Sequence, residues 1–334
     1  MPEIFQEKVQ AGIEGTKGTG TAATRILNGV FNYPTIERNG TWSPVRTGTY
    51  VGRQKMTYGR GSSTTTYSES VSYEDLAWWA QHFAEGGVTG VTDGGTPAAY
   101  TYAFDPDLTT DTLKSSTFEF GPTGHVQDFV QGMVDTVQIR IAPDNASDPF
   151  WMMDVGLRFL GLPVAGTFAS LTRRVTEDVR AAGTKIFIND TAATIGNTQK
   201  TGWLIDASLS LALNGYNKAF AENADGAAPG KTGRGERTFD AQITHEFDNY
   251  DEYNDFLSAT PVLRAVRIYQ EGAIIHDAVR SSVTIDMVGY WTSWAASERE
   301  SNRTAVMQLQ AGNIDNTFAN DWKMTVVNDL ATLV

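Results

Sequence analysis

Ile205-Asp206-Ala207-Ser208-Leu209-Ser210-Leu211-Ala212-Leu213-Asn214-Gly215 decides the fold. Odd positions from 205 to 213 are apolar and even ones small or polar, the two-residue period of a strand with one buried face. Asn214-Gly215 then reads as a tight turn, because both residue types tolerate the positive φ of short hairpin turns. Phe239, Ala241, Ile243, His245 and Phe247 repeat the pattern against Asp240, Gln242, Thr244, Glu246 and Asp248. With 32 glycines and only 19% charged residues, the chain reads as mainly β and rich in turns.

Working outward, the same text recurs earlier. Asn39-Gly40 lies 175 residues before Asn214-Gly215 (214 − 39), and Ser72-Tyr73-Glu74-Asp75 lies 177 before Asn249-Tyr250-Asp251-Glu252 (249 − 72). Thr96-Pro97 matches Thr260-Pro261 (164), and Lys114-Ser115-Ser116 matches Arg280-Ser281-Ser282 (166). Four matches in one order predict an internal duplication. The 334 residues suit two domains, residues 1–182 and 183–334, the first with an N-terminal arm and a loop inserted near 86–95.

Each copy predicts a strand, a long polar loop (residues 41–61 and 216–235), a second strand and a short helix. In the first copy Pro34 demotes the opening strand (30–38) to an edge or a bulge. Residues 62–70 are almost wholly Ser and Thr, strand-compatible but weakly specified unless a neighbour pairs with them. Ser72 with Asp75, and Asn249 with Glu252, have capping-box spacing. Leu76, Trp79, Ala80 and Phe83 form one apolar stripe, matched by Tyr253, Phe256, Leu257 and Thr260, so each helix should cover one sheet face. Further strands are expected at 100–104, 116–120, 134–141, 152–160, 263–269, 273–276, 282–288, 305–310 and 323–327. Residues 161–183 carry no strand pattern, and 170–180 read as a short helix or a linker.

Composition excludes several functions. A net charge of −13 opposes phosphate binding, which draws its affinity from Lys and Arg. The chain has no cysteine, so disulfides, thiol nucleophiles and cysteine-bound metals are excluded. The first residues lack an apolar signal core, no apolar run reaches a membrane-spanning length, and a protein made in a cytoplasm is expected. Gly226 to Thr232 resembles a phosphate loop, but it has three residues between its glycines where the motif needs four, and a strand rather than a helix follows. His82, His125, His245 and His276 are scattered, and the acidic run 246–255 lacks the alternation of a calcium loop. No Gly-x-Ser-x-Gly elbow is present. No catalytic, cofactor-binding or metal-binding residue is expected, and the chain reads as a non-enzyme. Trp78 lies off its helix stripe, either tucked against its own loop or forming a subunit contact. Trp291 and Trp294 read as strand-end packing or a sugar-stacking platform.

Two stretches resemble a family. Ala11-Gly12-Ile13-Glu14-Gly15-Thr16-Lys17-Gly18-Thr19 with Ala22-Ala23-Thr24-Arg25 is similar to the Gly-Thr-rich start of long-tailed bacteriophage major tail tube proteins. Lys185 to Asp190 with Ile195-Gly196, then Trp203 to Leu213, is similar to a later part of them. The resemblance implies β-sandwich or barrel domains, each with one flanking helix, in subunits that form stacked rings around a hollow tube. It implies three subunits per ring of six similar domains, a hexamer being the alternative. Its partners would be further copies, other tail proteins at the tube ends and DNA in transit without specific binding; no membrane is implied. The strands within 62–70 and 237–247 would line the lumen. The competing expectations are a carbohydrate-binding or glycan-cleaving surface β-protein, and a capsid or baseplate component.

Overall fold

The computed structural model describes residues 7–44, 53–106, 110, 112–143, 149–218, 231–248, 250–299, 302–312 and 318–333. The described residues are mainly β, 56% strand against 8% helix. In the first half Glu7–Ile13 pairs with Arg25–Leu27 and Ser116–Pro122, and Ser116–Pro122 with Gln127–Ile141. The ladder continues through Met152–Leu160 and Arg53–Ser70 to Thr35–Pro44. In the second half Lys185–Asn189 pairs with Gln199–Lys200 and Arg264–His276, and Arg264–His276 with Val279–Arg299. That ladder continues through Asn302–Ala311 and Thr238–Glu246 to Leu204–Ala212. The same antiparallel pairings thus occur twice, in one order.

The irregularities repeat as well. Arg38 faces Gly61 but Gly40 faces Tyr58; Ala212 faces Thr238 but Gly215 faces Arg234. Each descending arm gains one residue over its rising arm at the Asn-Gly pair, a bulge that bends the hairpin. Asn39-Gly40 and Asn214-Gly215 therefore do not reverse the chain as the turn reading expects. Each hairpin runs on past them through residues expected to be loop; residues 45–52 and 219–230 of the expected loops lie outside the described residues. A second bulge repeats at Asp135 and Thr292: Val134 faces Leu157 and Thr136 faces Gly156, as Trp291 faces Leu309 and Ser293 faces Gln308.

Other sequence expectations are corrected. Lys114-Ser115-Ser116 and Arg280-Ser281-Ser282 are not equivalent, because Ser116–Pro122 takes the place that Arg264–His276 takes in the second half. The N-terminal arm holds a strand, Glu7–Ile13, in the sheet. Residues 170–180 form no helix, which leaves the linker alternative; isolated bridges tie Asp178 to Ser72 and Arg180 to Phe150.

Both helices follow the descending hairpin strand as expected. α1 (Tyr73–Phe83) is capped by Ser72, whose side chain accepts the Asp75 N–H at 3.0 Å. The reciprocal half of the box is replaced, since the Asp75 carboxylate pairs with Arg25 at 3.2 Å. Every residue of α1 is buried, well beyond the single stripe. The C-terminal strand Trp322–Asn328, bound to Tyr100–Phe104 and to Val279–Arg299, packs against it, and Asn328 donates to the Tyr73 carbonyl at 3.0 Å. α2 (Asp251–Leu257) differs. Its N-cap Tyr250 makes no side-chain cap bond, Asn249 lies outside the described residues, and only Glu252 is buried.

Candidate assembly interface

The two halves meet along one strand pair. Gln127–Ile141 receives Leu204–Ala212 in antiparallel register, with Ser210 opposite Gln138, Leu211 opposite Val137 and Ala212 opposite Thr136. Bulged Asp135 clamps this seam. One carboxylate oxygen accepts the Gly215 N–H at 2.6 Å, the other accepts from Arg158 at 2.8 Å, and the backbone carbonyl accepts the Leu213 N–H at 2.8 Å. On the inner face Val137, Ile139, Leu209 and Leu211 join Phe239, Ile285 and Trp322 in a single apolar core drawn from both halves. Trp78 belongs to that core. It is fully buried, edge-on to Trp79 with ring centroids 4.9 Å apart and 4.9 Å beneath the Arg25 guanidinium, so it makes no subunit contact.

The seam leaves a continuous run of strands with two unfilled borders. Its order is Thr35–Pro44, Arg53–Ser70, Met152–Leu160, Gln127–Ile141, Leu204–Ala212, Thr238–Glu246, Asn302–Ala311 and the distal part of Val279–Arg299. Among the described residues Thr35–Pro44 and residues 290–299 each pair on one side only. Unpaired backbone N–H and C=O groups along an edge are a template for another chain. The first border also exposes apolar side chains: Val30, Tyr33, Ile36 and Trp42 are 68%, 63%, 43% and 44% exposed. Beside the second lies a groove of about 540 Å³ lined by Phe247, Tyr250, Tyr253 and Trp294. Tyr253 and Phe247 have ring centroids 4.6 Å and 5.4 Å from Trp294. Trp291, by contrast, is core.

The sheet's outer face is small and polar. Thr64, Thr66, Thr136, Gln138, Ser210, Gln242 and Gln308 are exposed on it. Gln138 donates to Ser208 across the seam at 3.0 Å, and Arg140 pairs with Asp154 at 2.8 Å. The buried alternation explains the Ser/Thr run: Ser63, Thr65 and Tyr67 point inward while their neighbours point out.

Several ionisable groups elsewhere are paired or buried for structural reasons. Burial, then the Asp75 charge, pushes the Glu69 carboxyl up to about 8; Tyr67 donates to it. Burial lowers the Arg25 guanidinium to about 10 despite Asp75. Burial lowers the His82 ring to about 3; Nδ1 meets the Trp78 carbonyl at 3.1 Å and Nε2 the Ser116 hydroxyl at 2.7 Å. His245 stacks on Trp203 at 3.9 Å, and His276 pairs with Asp93. The acidic residues near α2 face cations: Glu252 meets Lys200 at 2.6 Å, and Arg264 bridges Asp255 and Asp190. Among the described residues no group of three His, Cys, Asp or Glu side chains is placed to hold a metal ion, and no helix is long and apolar enough to cross a membrane. Residues 226–230 of the phosphate-loop look-alike lie outside the described residues, while Lys231 and Thr232 begin a strand. The sequence flagged Trp294 and, through Pro34, an edge or a bulge at residues 30–38; it did not mark Ile36 and Tyr33 as the apolar side chains exposed there. No family model matches the sequence, and no curated protein matches it.

Proposed function

We propose that this chain is a structural, non-enzymatic subunit of a bacteriophage tail tube, in which copies close into rings and rings stack into a conduit for DNA ejection. The observation that carries the reading is the repeated ladder with its internal seam. One half already presents the border strand that the other completes, and each molecule retains one border of each kind. Such a contact is head-to-tail, so it generates a closed ring or an open filament. Three copies, each contributing two similar halves, are the favoured ring; six copies are the alternative. The hydroxyl- and amide-rich outer face would line the lumen. With a net charge of −13 on the chain and Arg140 neutralised by Asp154, that face offers passing DNA little to hold. Other tail proteins would cap the tube ends, and the mature location would be the virion after synthesis in the host cytoplasm.

The groove at Trp294 favours a second reading, carbohydrate binding, since an aromatic wall beside Glu298 and Arg303 is chemistry that stacks and orients a sugar. One comparison separates the two. Electron micrographs of concentrated purified protein should show rings or hollow filaments, and glycan arrays should stay blank. Monomers that retain glycans through Trp294 would overturn the tube reading.

A further inference from the structure

The internal seam predicts, residue by residue, how the two open borders fit. Both hairpins slip at Asn-Gly, so Thr35, Ile36 and Glu37 correspond to Ser210, Leu211 and Ala212 (shift 175, 214 − 39). Both long strands bulge, at Asp135 and Thr292, so Thr136, Val137 and Gln138 correspond to Ser293, Trp294 and Ala295 (shift 157, 292 − 135). Transferring the seam places Thr35 opposite Ala295, Ile36 opposite Trp294 and Glu37 opposite Ser293.

Burial points to the same fit. Val71, Val137, Ile139, Ile141 and Trp151 of the first half are 0%, 3%, 5%, 0% and 0% exposed. Their counterparts Phe247, Trp294, Ala296, Glu298 and Arg303 are all half-buried or exposed. In the first half Leu209 and Leu211, delivered by the seam, share the core with Val137 and Ile139. The residue equivalent to Leu211 is Ile36, which points to the same side of its strand but is 43% exposed. Each molecule thus carries an uncovered aromatic groove at one border and an uncovered aliphatic plug at the other. We propose that the groove beside α2 is the socket for the Ile36 border of a second copy, with Ile36 packed directly across from Trp294. An aromatic set against a β-branched residue across paired strands is a favourable combination, and it also fixes register. The inference deepens the ring reading and rests on it.

The cysteine-free chain permits a clean test. Residues directly opposite in antiparallel strands have Cα separations within disulfide range. Ser210→Cys with Gln138→Cys is the internal control, expected to close within one chain. Thr35→Cys with Ala295→Cys should close between chains on mild oxidation, giving reducible covalent oligomers that end at the ring size. Thr35→Cys with Ser297→Cys, two residues out of register, should give few. Ile36→Asp, changing a side chain already exposed in the single copy, should weaken assembly at least about tenfold while leaving the melting temperature unchanged. Rings in micrographs combined with cross-linking through Ser297→Cys, or with none at Ala295→Cys, would overturn this register and leave the ring reading intact. Absence of both rings and cross-links, with the internal control closed, would overturn both.

Discussion

At the scale of single residues, the interior of the first half sets how the chain responds to acid and base. Glu69 keeps its proton in the folded state at pH values where the unfolded chain has lost it, because burial and Asp75 raise it to about 8. Its stabilising contribution is therefore complete below about pH 4.5 and is lost as pH rises through about 8. His82 acts in the opposite sense. Held neutral and lowered to about 3, it contributes fully above about pH 6.5, and that contribution is lost as pH falls towards 3. Burial likewise raises Glu74 to about 7 and adds to the alkaline loss, so the melting temperature of the unassembled chain should peak at about pH 4.5 to 5 and fall on either side. Glu69→Gln should flatten the alkaline limb, and His82→Gln the acid limb; unchanged limbs in melts across that range would contradict the assignment. Trp78 belongs to this scale too. Enclosed by Trp79, His82 and Arg25, it should cost about 3–5 kcal/mol when changed to Ala, read as a lower denaturation midpoint in the monomer. A loss of assembly alone would put Trp78 back at a subunit surface.

At the scale of elements, two bulges and one seam do most of the organising. The Asp135 clamp joins a bulged strand to the bent hairpin of the other half, using both carboxylate oxygens and the backbone carbonyl. Asp135→Ala leaves the Gly215 N–H and Arg158 without that partner, a loss of about 1–3 kcal/mol. Hydrogen exchange should then show faster opening of residues 207–215 than of the Met152–Leu160 pairing. Equal acceleration of both would mean that the seam is no separate unit. Alternation at 205–213 and 239–247 made these strands legible in the sequence, since a half-buried strand writes its face directly into residue order. Asn-Gly was legible as a backbone irregularity but not as a bulge, because positive φ serves either. Asn214 takes φ 49 while the chain runs on. The full burial of α1 was not legible, because its roof comes from Trp322–Asn328, far along the chain, and an amphipathic stripe records only the first face covered. The groove at α2 was legible only through Trp294, read as strand-end packing or a sugar-stacking platform; Tyr253 reads as part of a core-facing stripe until no second layer arrives.

At the scale of the whole molecule, the fold is a duplicated ladder that satisfies itself once and leaves the same demand open at its outer limits. Apolar borders of this kind are hazards in a lone protein, and pairing with a copy removes them. The chain should therefore associate steeply with concentration, and Tyr253→Ala, at the half-buried groove, should shift that dependence with little effect on monomer melting; the converse pattern would place Tyr253 in the fold and not in the contact. The most direct test of the central claim is cryo-electron microscopy of the assembled protein with symmetry left free. The account predicts a hollow ring of three chains, six similar lobes around one continuous sheet, with Ile36 of each chain against Trp294 of the next and the Ser/Thr/Gln face inward. A particle that remains a single chain at high concentration, or a ring whose chains meet away from residues 35–37 and 293–295, would contradict it.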